Sequence, residues 1–134
     1  METSVPWSKI NKVKTEAHKL LNELHKKHNL PGKPFFTSRI SKIYHTGVCM
    51  YNTIAMCYDG IENPEDVFTQ IEYSMRENFI KNGGSISHHH GVGKLRKDFI
   101  KETISDGSVS LIQGIKRDQD PNNIFGVSNN IVND

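Results

Sequence analysis

GVCMYNTIAMCYDGIENPEDVFTQIEYSMRENFIKNGGSISHHH, from Gly47 to His90, reads as a strand, a capped helix and a polar loop in one run. The helix is the firmest element. Pro64 suits the first helical position, Asn63 stands where a cap belongs, and Glu65 and Asp66 complement the positive helix end. Phe68, Ile71, Met75 and Phe79, with Val67 beside them, fall on one face at helical spacing, and Asn82-Gly83-Gly84 stops the helix near Lys81. Before it, side chains alternate between two faces from Val48 to Tyr58. Val48, Met50, Ile54 and Met56 share one face, interrupted by Asn52, and predict core. Cys49, Tyr51, Thr53, Ala55 and Cys57 share the other and predict a cavity wall.

Working toward the N-terminus, His45-Thr46-Gly47 predicts a hairpin turn back to a second β-prone stretch, Phe35 to Tyr44. Its alternation is poor and leaves the register open. A helix is predicted from Pro6 to His28, with Ile10, Val13, Ala17, Leu20, Leu21 and Leu24 on one face and Asn29, Pro31 and Gly32 as its stop. Working toward the C-terminus, two short helices are predicted at Lys94 to Ile104 and Val109 to Arg117. A turn follows at Asp120 to Asn123, and a loose tail from Val127 to Asp134. The order gives an α+β fold: a short antiparallel sheet with helices packed on one face. Two strands rarely make a complete sheet, so either missing strands or a partner segment is expected, as in a fragment of a larger unit.

The totals set limits. At 134 residues the chain is long enough for a modest core. Net charge is +2, which gives no strong footprint for nucleic acid. No apolar run approaches the roughly 20 residues of a membrane span, and no secretory pattern opens the chain. Cys49 and Cys57 sit too far apart on one extended strand to bond to each other. A reducing compartment is expected.

The chemistry concentrates in GGSISHHHGVG, Gly83 to Gly93. Histidine has an unperturbed pKa of about 6.5 and moves protons readily near neutral pH. Glycines let the backbone bend and approach a ligand. From the residues alone, a chemical or cofactor-contact role for His88, His89 and His90 stands level with a solvated polar loop. Metal binding is not expected. Adjacent residues on an extended loop point different ways, and no HExxH, CxxC or carboxylate set accompanies them. Lys94, Arg96 and Lys97 form either a solvated helix start or an anion contact. A strand tyrosine such as Tyr51 is ordinarily a half-buried aromatic. A phenol of pKa about 10 suits proton transfer only beside a base or a cation.

Several stretches carry a resemblance: ETSVPW (Glu2–Trp7), GVCMY (Gly47–Tyr51), NGGSISHHHGVGKLRK (Asn82–Lys97), KETISD (Lys101–Asp106) and DPNNIFG (Asp120–Gly126). Together they resemble the C-terminal portion of the alkylglycerone-phosphate synthase family, within the FAD-linked oxidase superfamily. The resemblance implies a cap or substrate-domain fragment over residues 1–126, with a loose tail at 127–134. It implies exchange of the acyl group of 1-acyl-dihydroxyacetone phosphate for a long-chain fatty alcohol in ether-lipid synthesis. It implies FAD, with the substrate carbon held on flavin N5. It places proton transfer on Tyr51 and an essential triple histidine on His88, His89 and His90. A peroxisomal setting, peripheral membrane association and a homodimer come with it. The family's flavin-diphosphate loop would lie upstream. The sequence departs from the family after Tyr51, at Asn52 to Met56, and after Asp106, at Gly107 to Ser110. The competing expectation is a non-catalytic cap fragment or a small His-loop metal-binding module.

Overall fold

Three antiparallel strands, not two, form the sheet that carries the functional face. The computed structural model describes residues 1–127, and the chain divides into two compact units, Met1–His88 and His89–Asp134. In the first unit, β1 is Glu2–Pro6, α1 Ile10–Lys27, β2 Phe35–Ile43, β3 Gly47–Ala55 and α2 Pro64–Lys81. A single turn of 3-10 helix, Trp7–Lys9, leads from β1 into α1. The strand order is β1-β3-β2, with β3 in the centre.

The central strand was legible because it is buried along most of its length and alternates. β1 was not: five residues ending in proline carry no period, and its partner lies far along the chain. Pro6, expected to open a helix, closes this strand instead. The poor alternation of β2 has a cause. A bulge between Ile40 and Lys42 lets Ile40 pair with Met50 and Ile43 with Val48, three residues apart instead of two.

One core lies between the sheet and the two long helices. Val13, Ala17, Leu21 and Leu24 of α1 meet Ile71, Met75 and Phe79 of α2 and Val5, Val48 and Met50 of the sheet. The expected fold class therefore holds, with helices on one sheet face. Asn52, which interrupts the apolar face, is 1% exposed and is satisfied there, accepting a hydrogen bond from Ser38 Oγ at 2.6 Å.

Both helices end on a residue in the left-handed region. Asn29 (φ 50°) follows α1, and Gly83 (φ 93°) follows α2. At the second end Gly83 N donates to Ile80 O (2.9 Å) and Gly84 N to Phe79 O (2.8 Å), which satisfies carbonyls the helix leaves open. Two details of α2 correct the sequence reading. Phe68 is exposed, and Arg76 is buried instead, paired with Glu72 at 2.8 Å. Asn63 makes no side-chain cap; Pro64 and the acidic first turn start the helix without it.

In the second unit the predicted helix Lys94–Ile104 is broken into a four-residue α3, Gly93–Arg96, and a 3-10 turn, Lys97–Glu102. Helix α4, Asp106–Gln119, starts three residues before its predicted start because Ser105 caps it, accepting from Ser108 N at 3.2 Å. Its apolar residues Leu111, Ile112 and Ile115 are exposed, and Val109 is buried. Asp120 closes the following turn. It pairs with Lys116 and accepts from Ile124 N and Phe125 N, and these partners hold its carboxyl down to about 2. Among the described residues, no helix is long and apolar enough to cross a membrane. The predicted tail, beyond Val127, lies outside the described residues.

Candidate active site

Directly opposed residues of antiparallel strands share a face, so register assigns the site. Tyr51 on β3 faces Glu2 on β1 and Arg39 on β2. These three form a row across the sheet, on the side away from Met50 and the helices. Cys49 lies in the neighbouring row, between Ser4 and Lys42. Cys49 is fully buried, Tyr51 half-buried, and Thr53 and Ala55 further along are exposed. The guanidinium of Arg39 lies 5.1 Å from the Tyr51 ring centroid. It sets a fixed positive charge beside the phenol and steadies the ring by a cation–π contact.

Glu2 links this row to the histidines. The residue is 4% exposed. Oε2 accepts the backbone N–H of His88 at 2.7 Å, and Oε1 accepts Ser87 Oγ at 3.0 Å. Two charge-assisted bonds offset much of the cost of burying the acid. Upstream, the same loop is laced to the edge of β1. Ser85 N donates to Ser4 O (2.9 Å), Ser4 N to Ser85 Oγ (2.9 Å) and Thr3 Oγ1 to Ser85 O (2.8 Å). The loop thus covers an edge that would otherwise invite another strand.

The ring of His88 meets a different tyrosine. Tyr44, the residue after β2, places its hydroxyl 2.6 Å from His88 Nε2, with ring centroids 5.7 Å apart. The Tyr44 carbonyl and that of His45 both accept the Trp7 indole N–H at 3.1 Å, so the hairpin turn is held from below. In the second unit, the rings of His89 and His90 lie 4.2 Å apart, and Arg96 donates to Gly91 O at 3.2 Å and approaches His90 Nδ1 at 3.3 Å. Arg96, read from the sequence as either a solvated helix start or an anion contact, is turned back on its own loop.

The structure therefore sets Glu2 opposite Tyr51 in the sheet and bonds its carboxylate to the backbone of His88. Sequence reasoning named Tyr51 and His88 and missed Glu2, Arg39 and Tyr44. Tyr44 stood at the mouth of the predicted turn, a visible signal. Glu2 and Arg39 could be found only through strand register.

Gly84 fixes the start of the loop. A Cβ there would lie 2.5 Å from Thr3 Oγ1 and 2.9 Å from Phe79 O, and the second is rigid helix backbone. Gly84→Ala is expected to cost about 1–3 kcal/mol, as overpacking does. It should also speed amide exchange at Ser85. Urea unfolding within about 0.5 kcal/mol of the parent, the range of a plain surface change, would contradict this close approach.

The comparisons agree on one family. The model for "FAD linked oxidases, C-terminal domain" matches residues 1–127. The alkyldihydroxyacetonephosphate synthase of Caenorhabditis elegans is 35% identical over 128 residues, covering 96% of this chain and 21% of that protein. The Dictyostelium discoideum protein of the same name is 29% identical over 125 residues, covering 92% of this chain and 20% of its own length. The chain thus spans about a fifth of the length of the curated relatives it matches. A solved alkyldihydroxyacetonephosphate synthase superposes with a TM-score of 0.54 at 20% identity, over 90% of this chain and 18% of the other, a likeness of fold.

Proposed function

The chain belongs to the FAD-linked oxidases through their C-terminal domain, and from that premise we propose that it is the proton-transfer part of an alkylglycerone-phosphate synthase. FAD is the cofactor of that family. The reaction proposed is the exchange of a carboxylate for an alkoxide on dihydroxyacetone phosphate. The bond between the substrate carbon and the ester oxygen breaks, and the fatty acid leaves as its carboxylate. A long-chain alcohol forms the new C–O bond, and its proton is released. No net electrons move. The observation that carries the reading is the Glu2 anchor, which faces Tyr51 in register and binds the His88 N–H at 2.7 Å.

In this reading Tyr51 removes a proton from the substrate carbon and returns it, and His88 passes the proton on toward solvent. Arg39 keeps the phenol ring in place. The peroxisome is the compartment proposed, with a homodimer at the membrane surface as the working assembly. The exposed apolar side chains of α4 suit burial by other parts of such an assembly.

The described residues do not build a cradle for the diphosphate of FAD. Gly91 and Gly93 lead into a helix of four residues, and Arg96 is engaged with Gly91 O and His90. The same fact gives an expected result: by isothermal titration, the 134-residue chain binds FAD more weakly than micromolar. Micromolar or tighter binding would show a flavin site within the chain.

The activity is tested in the full-length protein that contains this chain. Incubated with acyl-dihydroxyacetone phosphate and labelled hexadecanol, it should incorporate label and release one fatty acid per label. Release without incorporation, or neither, would overturn the proposal.

A further inference from the structure

Tyr51 is the tyrosine that the proposed function uses, yet the phenol bonded to the histidine run is that of Tyr44. A phenol–imidazole contact of 2.6 Å is short for its type and admits two proton arrangements. Either the phenol donates to an unprotonated Nε2, or a protonated Nε2 donates to the phenol oxygen. The phenol O–H is the more acidic donor, and its oxygen lone pairs are drawn into the ring. The unprotonated imidazole nitrogen is the better acceptor. The first arrangement is therefore favoured while the imidazole is neutral.

We propose that Tyr44 is a positioning residue that holds His88 through Nε2 and fixes its neutral ring as the Nδ1–H tautomer. Two further contacts make the arrangement a built one. The His88 backbone is fixed by the buried Glu2 carboxylate at 2.7 Å, and the Tyr44 carbonyl is fixed by the Trp7 indole at 3.1 Å. With both main chains held, the bond persists as long as the two side chains keep their rotamers, at a position open to solvent. The consequence is directional: His88 presents Nδ1 as a proton donor, while Nε2 is committed to Tyr44. Which ring nitrogen carries the proton decides what an imidazole can donate or accept.

The catalytic meaning of this tautomer rests on the proposed function; the tautomer itself does not. The test is nitrogen NMR on the 15N-labelled full chain, above the pH at which its imidazoles titrate. The His88 signals are identified by their loss in His88→Gln. In the parent, Nε2 should show the shift of an unprotonated acceptor and Nδ1 that of a protonated nitrogen. In Tyr44→Phe the population should move toward Nε2–H, the tautomer free histidine prefers. A parent His88 protonated at Nε2 would overturn the proposal, and so would unchanged ring shifts in a folded Tyr44→Phe. Should Tyr44→Phe fail to fold, the parent spectrum decides alone. In the full-length protein, Tyr44→Phe should lower exchange by up to roughly a hundredfold, the cost of misplacing a reacting group. A confirmed tautomer with no exchange activity in the parent would refute the proposed function and leave the role of Tyr44 standing.

Discussion

Tyr51→Phe in the full-length protein is expected to lower the exchange rate by roughly 10²- to 10⁴-fold, the range for loss of a general acid or base. The substitution removes one hydroxyl and keeps the ring. The ring keeps its place between Glu2 and Arg39 in the sheet and its contact with the Arg39 guanidinium at 5.1 Å. The fold and flavin content should therefore be those of the parent, because the phenol is assigned to chemistry. His88→Ala should do comparable damage. The double variant should lose less than the product of the two single losses, as groups acting as a unit do. The measurements are labelled-alcohol incorporation, flavin absorbance and the double-mutant cycle. Near-normal turnover in Tyr51→Phe with flavin bound would end the assignment and leave proton transfer to the histidines.

The largest expected effect on stability is Phe79→Ala, at about 3–5 kcal/mol. Phe79 is 2% exposed and packs where α2 meets α1 and the sheet. Its removal deletes a large apolar surface and leaves a cavity. A domain of this size has only about 5–15 kcal/mol in all, so the loss is a large share of the total. The matched control is Phe68→Ala, one helix face earlier and 41% exposed, which should change stability by no more than about 0.5 kcal/mol. Urea unfolding of the two variants reads the contrast directly. Equal losses would mean that α2 packs with another face. The sequence pattern put both phenylalanines in one stripe. Packing separates them, because the buried face continues through Arg76, whose charge is met by Glu72 at 2.8 Å.

What the sequence determined by itself was local. Helix α2 runs from Pro64 to Lys81, as its proline, acidic first turn and glycine stop dictate. The His45-Thr46 hairpin turn closes through Tyr44 N to Gly47 O at 2.8 Å. The central strand shows its two faces, and the histidine run carries the family resemblance. Each signal lies within a few residues of what it controls, because helix caps, turns and strand alternation act over one or two turns of chain. What only the tertiary structure decided was pairing across long separations. β1 docks on β3 at Gly47, where any side chain would collide with the Val5 carbonyl. The bulge in β2 resets its register, setting Ile43 opposite Val48, while Ile40 and Ile43 stay exposed. The bonds that orient His88 join it to residues 86 and 44 positions away, Glu2 and Tyr44. Such contacts leave no period in the sequence, since each depends on register and on which loop covers which edge. The candidate residues Tyr51 and His88 were therefore readable from the chain, and the residues that face or bond to them were not.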